Sequence, residues 1–287
     1  MARKKKPTIA VVTDSTASLD PVDAERAGIE VVPLKVIIGA ETFVEGQDLT
    51  SDMIAKALAE FVPVSTSRPT PEEFFDVYEA LAKAGATEIV SVHLSAKMSG
   101  TIDSARLAAK RCSVPVTVVD TQQVGVGVGF AAGAAARARA GGGGVKEIVE
   151  AAENAARATT VTLYVDTLEY LRRGGRVGAA AALIGSALAV KPILTLKDGL
   201  VVPLEKVRTS AKALARLEAL AVEAAQACEG DFQIGIQHLA AESVAQQVAD
   251  RLATALDLES VPVDEVGAAI GAHVGPGMVS ITVTPVT

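Results

Sequence analysis

Residues 88–120 read EIVSVHLSAKMSGTIDSARLAAKRCSVPVTVVD, and this segment indicates the fold class most clearly. Glu88–His93 is a short apolar run rich in β-branched residues, which predicts a strand. Thr101–Arg111 has the apolar spacing of a helix, and Val116–Asp120 predicts a second strand. Because apolar residues occupy both faces of these strands, the order strand, helix, strand predicts a parallel sheet covered by helices.

The same alternation extends over the rest of the first half of the chain. Further strands are predicted at Thr8–Thr13 and Ile29–Ile38, and helices at Asp20–Ala27, Met53–Phe61, Glu72–Ala84, Val126–Ala140 and from Val145 onward. Four consecutive glycines before Val145 predict a flexible loop between the last two helices. We therefore expect residues 1–160 to form an N-terminal α/β domain whose parallel sheet is flanked by helices.

From Thr160 the order of elements changes and indicates a mixed sheet. Strands are predicted near Val161–Val165, Val190–Leu196, Leu200–Leu204, Phe232–Gln237, Val261–Val266 and Val279–Val283, and helices near Ala179–Leu188, Thr209–Ala227 and Glu242–Leu256. Asp198-Gly199 favours a hairpin turn between two of these strands. Residues 161–287 are expected to form a C-terminal α/β domain with a mixed sheet and helices mainly on one side.

Composition excludes several functional classes. The 287 residues are 49% hydrophobic, which is enough for a packed core. A net charge of −7 and only 3% aromatic residues argue against a nucleic-acid-binding surface. The two cysteines are far apart and the three histidines have no metal-ligand spacing, so we expect no metal site. The sequence has no P-loop and no dinucleotide-binding motif, so we expect no cofactor.

Hydropathy and the N-terminal charges also bear on the location of the protein. The longest apolar segment without charge is Val177–Val190, which is shorter than the roughly 20 residues of a bilayer span. The basic run Arg3–Lys6 is followed by Asp14 too early for a signal peptide. We therefore expect a cytoplasmic protein without an integral membrane segment.

Hydroxyl-rich segments cluster at the predicted carboxyl ends of the strands. Thr13–Thr16 follows the first strand, Val64–Pro71 precedes a helix, and His93–Thr101 follows the Glu88 strand. Ligands of open α/β sheets bind at this edge, and helix N-termini with hydroxyl groups favour anions. Serine and threonine are also ordinary helix N-caps, so the residues leave an anion pocket and plain capping both open.

Two glycine-bounded segments add candidate ligand contacts. His273 stands in the segment GAHVGPG, which predicts a loop where backbone approaches a ligand closely. Gly174-Gly175 predicts the end of a helix, followed by Arg176. An ordinary structural histidine and an arginine at a helix C-terminus are the alternatives.

Taken together, six segments occur in the order seen in the DegV family, which the chain resembles from Ile9 to Val283. They are Thr13–Thr16, Thr66–Pro69, Met98–Thr101, Leu168–Leu171 with Gly174–Arg176, Lys191–Leu194 and His273–Gly277. The resemblance implies a bacterial fatty-acid-binding protein with two α/β domains and a tunnel near their junction. It also implies a carrier and not an enzyme, with some members presenting the fatty acid to a separate kinase that makes acyl phosphate for phospholipid synthesis.

By the same resemblance, the fatty acid carboxylate would be held by six residues: Thr66, Ser67, Ser99, Gly100, His273 and Arg176. The sequence departs from the usual family pattern at Arg68 and at Ala96-Lys97, whose roles stay open. The Ala179–Leu188 segment is a candidate tunnel wall or ordinary core. The basic pair Lys206 and Arg208 is a candidate surface for the kinase.

An enzyme is the alternative to the carrier. Asp14 and the hydroxyl-rich segments could serve a hydrolase or phosphotransferase that acts on a small anionic substrate. Turnover of such a substrate, lost on substitution of Asp14, would favour this alternative.

Overall fold

The structure, a computed structural model, describes residues 8–183 and 191–286. Its strands are β1 (Ile9–Asp14), β2 (Ile29–Val32), β3 (Lys35–Ile38), β4 (Glu41–Val44), β5 (Val64–Ser67), β6 (Glu88–His93), β7 (Val116–Asp120), β8 (Thr160–Tyr164), β9 (Lys191–Lys197), β10 (Leu200–Val207), β11 (Phe232–His238), β12 (Val263–Glu265) and β13 (Val279–Pro285). Its α-helices are α1 (Pro21–Ala27), α2 (Ser51–Ala59), α3 (Pro71–Lys83), α4 (Thr101–Ala109), α5 (Val126–Ala140), α6 (Val145–Ala158), α7 (Glu169–Arg173), α8 (Ser210–Gln226), α9 (Glu242–Leu256) and α10 (Ala268–Val274).

The first half of the chain forms a four-stranded parallel sheet in the order β2-β1-β6-β7. Its strands are buried on both faces, as the sequence predicts, because helices cover each side. Ile89 packs with Phe74 and Tyr78 of α3, whereas Val90 packs on the opposite face with Ala132 and Ile148 of α5 and α6. This α/β architecture confirms the predicted fold class.

The second half forms a six-stranded mixed sheet in the order β10-β9-β8-β13-β11-β12. Its strand pairs are antiparallel except β11 with β12. Helices α8 and α9 cover one face, where Leu217 and Leu252 pack with Ile236 and Ile281. The other face carries Leu163 and turns towards the loops that leave the parallel sheet.

A third sheet, β4-β3-β5, is antiparallel and was not predicted. The single strand expected over Ile29–Ile38 is wrong, because Pro33 separates β2 of the parallel sheet from β3 of this small sheet. The segment expected as a loop over Thr66 and Ser67 belongs to β5. This strand pairs with β3, about thirty residues earlier in the chain, and local sequence patterns do not predict such a pairing.

Two further predictions, a loop around His273 and a helix over Ala179–Leu188, also need correction. His273 lies in the last turn of α10 and not in a loop, since the small residues of this helix give it little apolar periodicity. The described part of the helix expected over Ala179–Leu188 is a 3-10 helix, Gly178–Leu183. The rest of that segment lies outside the described residues. Within the described ranges, no helix combines the length and apolarity that crossing a bilayer demands.

Candidate functional site

A pocket lies between the carboxyl ends of the parallel strands and the uncovered face of the six-stranded sheet. It encloses about 890 Å³ of atom-free space, part of which is open to solvent. Apolar side chains form most of its wall: Leu34, Leu94, Met98, Val124, Val161, Leu163, Leu171, Leu196, Val201, Val266, Ala269, Ile270, Val274 and Met278. The pocket therefore offers an aliphatic lining at the sheet edge where the sequence predicts a ligand.

Strand alternation determines which residues of the large sheet reach this pocket. Val161 of β8 pairs with Thr282 of β13, and Leu163 pairs with Ser280 two residues along. All four side chains point to the pocket, and the residues between them point to the helices on the opposite face. The pocket floor is thus built on backbone that hydrogen bonds hold in register.

The polar end of the pocket is centred on His273 and Thr66. The last turn of α10 carries His273, and pairing of β5 with β3 fixes Thr66 opposite Val36. His273 Nε2 lies 2.9 Å from Thr66 Oγ1, within hydrogen-bond distance. Residues far apart in sequence therefore meet in one polar contact at the pocket wall.

Gly174 allows the histidine to sit where it does. A Cβ at Gly174 would lie 2.0 Å from His273 Nδ1, so only glycine leaves room for the ring. Nδ1 is enclosed and has no hydrogen-bond partner among the described residues. The imidazole is thus packed edge-on against the backbone that follows α7.

Burial and, to a smaller extent, the charge of Arg176 lower the pKa of His273 to about 4. The imidazole is therefore neutral near pH 7. When its proton is on Nε2, that N–H donates to Thr66 Oγ1 and leaves the threonine hydroxyl hydrogen free for an anion. A carboxylate bound beside the ring would raise the pKa of His273, because an opposite charge favours the imidazolium form.

Arg176 supplies positive charge at the same end. Its Nε donates to the Met98 carbonyl at 2.9 Å, and its Nη1 donates to the Gly174 carbonyl. These bonds fix the guanidinium plane between the loop after β6 and the turn after α7. Arg176 is the single cation among the described residues that line the pocket.

Ser99 also lines the pocket, close to the N-terminus of α4. Its Oγ lies 2.9 Å from Thr101 Oγ1 and accepts a hydrogen bond from the Thr101 N–H at 3.3 Å. The hydroxyl therefore accepts the N–H of the first residue of α4 and also lies in the pocket wall.

Two of the six predicted head-group residues do not line the pocket. Ser67 donates its hydroxyl to the Arg68 carbonyl, and Gly100 accepts from Arg68 Nη1 at 3.3 Å. A Cβ at Gly100 would overlap the Arg68 guanidinium, so this departure from the family pattern packs on glycine. Lys97 is exposed and outside the lining. The structure brings together Thr66, Ser99, Arg176 and His273 only.

Asp14, the residue on which the enzyme alternative depends, is fully buried below the pocket wall. His93 Nδ1 at 2.8 Å and the Leu94 N–H at 3.3 Å bond its Oδ2. The N–H and hydroxyl of Thr16 both donate to its Oδ1. The carboxylate thus holds in place the turn that carries Thr16 into the pocket wall.

The hydrogen-bond chain continues on the other side of His93. Ser91 Oγ lies 2.7 Å from His93 Nε2 and accepts the Tyr78 hydroxyl at 2.8 Å. Ser91, His93 and Asp14 share the connectivity of a hydrolase triad. However, all three are wholly buried within the sheet, and none lines the pocket. This cluster ties the parallel sheet to α3 and offers a substrate no accessible nucleophile.

Several polar residues of the wall escaped prediction from the sequence. Gln237, Ser280 and Thr282 lie on β11 and β13 and face the pocket. The alternation of hydroxyls with apolar residues over Val279–Pro285 could have indicated a strand with one polar face. Nothing local marks that face as the inner one. Among the described residues, no group of three or more histidine, cysteine or acidic side chains is placed to hold a metal ion.

Comparison with known proteins agrees with this architecture. Residues 8–286 match the family model described as an uncharacterised protein of the DegV family. A DegV domain-containing protein of Streptomyces coelicolor is 50% identical over 96% of this chain and 98% of its own length. A second, from Halalkalibacterium halodurans, is 34% identical over 96% and 97%.

Two solved structures are similar over the whole fold. A DegV family protein of Thermus thermophilus, described by its fatty acid binding, superimposes with a TM-score of 0.88 at 34% identity, covering 97% of this chain and 100% of that one. DegV of Bacillus subtilis, described as a fatty acid binding protein, has a TM-score of 0.88 at 31% identity over 98% and 100%. With a family match over nearly its full length, the chain belongs to the DegV family.

Proposed function

We propose that this protein binds one long-chain fatty acid, with the tail in the apolar pocket and the carboxylate held by Thr66, Ser99, His273 and Arg176. The observation that carries the proposal is an aliphatic pocket whose described lining residues place one cation, a neutral imidazole and two hydroxyls at one end. Solved relatives described as fatty acid binding proteins support it.

The tail supplies most of the affinity. Each buried methylene contributes about 0.8 kcal/mol, so a chain of about fourteen methylenes gains roughly 11 kcal/mol before the cost of association. Hydrogen bonds to the carboxylate add about 1.5–3 kcal/mol each, offset by desolvation of the charge. The polar end therefore sets the orientation of the bound acid, with its carboxylate beside His273 and Arg176.

A carrier fits the polar end better than a catalyst does. Hydroxyl groups donate hydrogen bonds to an anion, and the neutral imidazole orients the hydroxyl of Thr66, whereas the buried Asp14 has no surface in the pocket. We propose that the protein presents the bound acid for reaction elsewhere. The chemistry to be expected is phosphorylation of the carboxylate by a separate fatty acid kinase.

Mass spectrometry of lipid extracted from the purified protein tests the binding proposal. Arg176→Met should lower retention of the fatty acid, because it removes the cation that lies against the carboxylate. Arg173→Met is the matched control, since Arg173 is exposed, pairs with Glu169 and does not line the pocket. Absence of fatty acid from the wild-type protein, with no binding of added hexadecanoic acid, would refute the proposal.

We propose further that Lys206 and Arg208 form part of the surface that meets the kinase. Both are exposed at the end of β10, the edge strand of the large sheet. Reversing both charges should slow kinase-dependent acyl phosphate formation without changing fatty acid content. Reversal of the exposed Lys212 on the neighbouring α8 provides the control. Equal rates for both variants would remove this surface from the proposal.

A further inference from the structure

The wall of the pocket formed by β11 and β13 is polar, and the proposed head-group contacts do not use it. Gln237 pairs with Ser280 across the two strands, and Thr282 follows two residues further along β13. These three side chains face the pocket beside the apolar Val161 and Leu163 of β8. One side of an otherwise aliphatic pocket thus carries an amide and two hydroxyls.

Gln237 holds an unpaired donor in this wall. The residue is only 3% exposed, and its Oε1 accepts the Val126 N–H at 3.1 Å. Because Val126 can only donate, the amide oxygen must face it, and the NH₂ group must point the other way. Gln237 Nε2 has no hydrogen-bond partner in the part of the chain that the structure describes.

The two hydroxyls add donors and acceptors next to that amide. Ser280 is 7% exposed and Thr282 2%. Neither side chain takes part in a hydrogen bond with any described residue, in contrast to Thr284 on the same strand, whose hydroxyl lies 2.7 Å from Thr159 Oγ1. The pocket-facing pair is left available for a group inside the pocket.

This polar wall is built on other elements than the head-group end. The head-group residues come from β5, the loop after β6, the turn after α7 and α10, and none comes from β11 or β13. Met278, at the end of the loop that leaves α10, Ser280 and Thr282 are successive pocket-facing positions. At about 3.3 Å per residue, Thr282 lies about 13 Å along the strand from Met278.

A plain hydrocarbon tail would leave these groups without partners. Unpaired hydroxyls in an apolar pocket are unfavourable, whereas an oxygen atom on the ligand would exchange hydrogen bonds with Ser280 and Thr282, beside the enclosed amide of Gln237. Sites built to hydrogen-bond a ligand hydroxyl or carbonyl discriminate strongly against analogues that lack it.

We infer that the preferred ligand is an acyl chain bearing a hydroxyl or keto oxygen along its length, recognised by the hydroxyls of Ser280 and Thr282. This inference rests on the proposed function, because it takes the carboxylate to be held at the His273 end. The oxygen lies on the part of the chain beyond the head group, and its position along the chain decides the affinity.

Competition binding with hexadecanoic acid and positional isomers of hydroxyhexadecanoic acid tests the inference. At least one mid-chain or distal isomer should bind about tenfold more tightly than hexadecanoic acid, the difference expected for one satisfied hydrogen bond. The 2-hydroxy isomer, whose oxygen stays at the head group, should show no such gain.

Conservative variants identify the groups responsible. Thr282→Val and Ser280→Ala remove the hydroxyls with little change in packing and should bring the ratio of the two affinities towards one. Thr284→Val makes the same change on the same strand outside the pocket lining, and it should leave the ratio unchanged. Folding of each variant is checked by thermal unfolding.

The outcomes separate this inference from the proposed function. If hexadecanoic acid binds and no hydroxy isomer binds more tightly, the inference is wrong and the proposed function stands. A preference that survives in both pocket variants would also overturn the role given to these residues. If none of the acids binds, both the proposed function and the inference fall.

Discussion

Replacing Gly174 with alanine tests the geometry of the head-group end most directly. Gly174 ends α7 with φ −73° and ψ −9°, a conformation that alanine adopts without strain. The new Cβ, however, would lie 2.0 Å from His273 Nδ1 and 2.8 Å from its Cε1. The effect of the substitution is therefore steric and is directed at one side chain.

The size of the effect follows from these distances. Ordinary contact with a Cβ begins near 3.4 Å, so the imidazole must move away by more than 1 Å. A displacement of about 1 Å is enough to impair a side chain that must be held in one position. A shift of that size breaks the 2.9 Å contact between His273 Nε2 and Thr66 Oγ1. Loss of one hydrogen bond to a charged ligand costs about 1.5–3 kcal/mol, which is about 10- to 150-fold in Kd.

Titration calorimetry with hexadecanoic acid measures this loss. Gly141→Ala is the matched control, because Gly141 ends α5 at φ −68° and ψ −3°, and its Cβ would meet nothing closer than 3.5 Å. Gly174→Ala should weaken binding while Gly141→Ala does not, with both proteins folded by circular dichroism. Wild-type affinity in Gly174→Ala would show that His273 does not contribute to the head-group site.

Three further predictions concern buried titratable groups. The pKa of His273 is lowered to about 4, so the unfolded chain binds a proton on this residue at a higher pH than the folded chain does. Between pH 7.5 and 5, the free energy of unfolding of the unliganded wild type should therefore fall by about 2 kcal/mol relative to His273→Asn, measured by urea unfolding. Burial raises the pKa of Glu45, so the stability that its protonated form contributes is lost as pH rises. Glu45→Gln keeps an acceptor for the Ala269 N–H. Its melting temperature should therefore exceed that of the wild type at pH 8, with a smaller difference at pH 5. Ser91→Ala leaves the Tyr78 hydroxyl and His93 Nε2 unpaired and should cost about 2–4 kcal/mol in denaturant unfolding, while the folded protein still binds fatty acid; loss of binding at unchanged stability would contradict a structural role.

The alternation of strands and helices was visible in the sequence because each parallel strand is apolar on both faces. Local signals also placed the Asp198-Gly199 turn, where both residues have positive φ. The small sheet and α10 were missed for a common reason. Their strands and helix are short and are stabilised by contacts with distant segments, such as the Glu45 carboxylate that accepts the Ala269 N–H.

The resemblance to a known family predicted which residues belong to the site, and only the structure shows which of them contact one another. The contact between Thr66 and His273 joins positions 207 residues apart, so no local pattern could have predicted it. Ser67 and Thr66 are adjacent in β5 and point to opposite faces, which explains why only Thr66 lines the pocket. Likewise, the orphaned amide of Gln237 depends on the approach of α5 to β11.

Charge balance at the head-group end bears on the choice between a carrier and an enzyme for phosphorylated substrates. Of the described residues that line the pocket, Arg176 alone is charged, since the lowered pKa of His273 keeps the imidazole neutral. One cation matches one carboxylate, and the neutral donors complete its hydrogen bonds. A phosphate monoester carries about −1.5 to −2 at pH 7 and would bury negative charge without a partner. The head-group end therefore holds a carboxylate more favourably than it would hold the phosphate monoester that a phosphotransferase or phosphatase would bind.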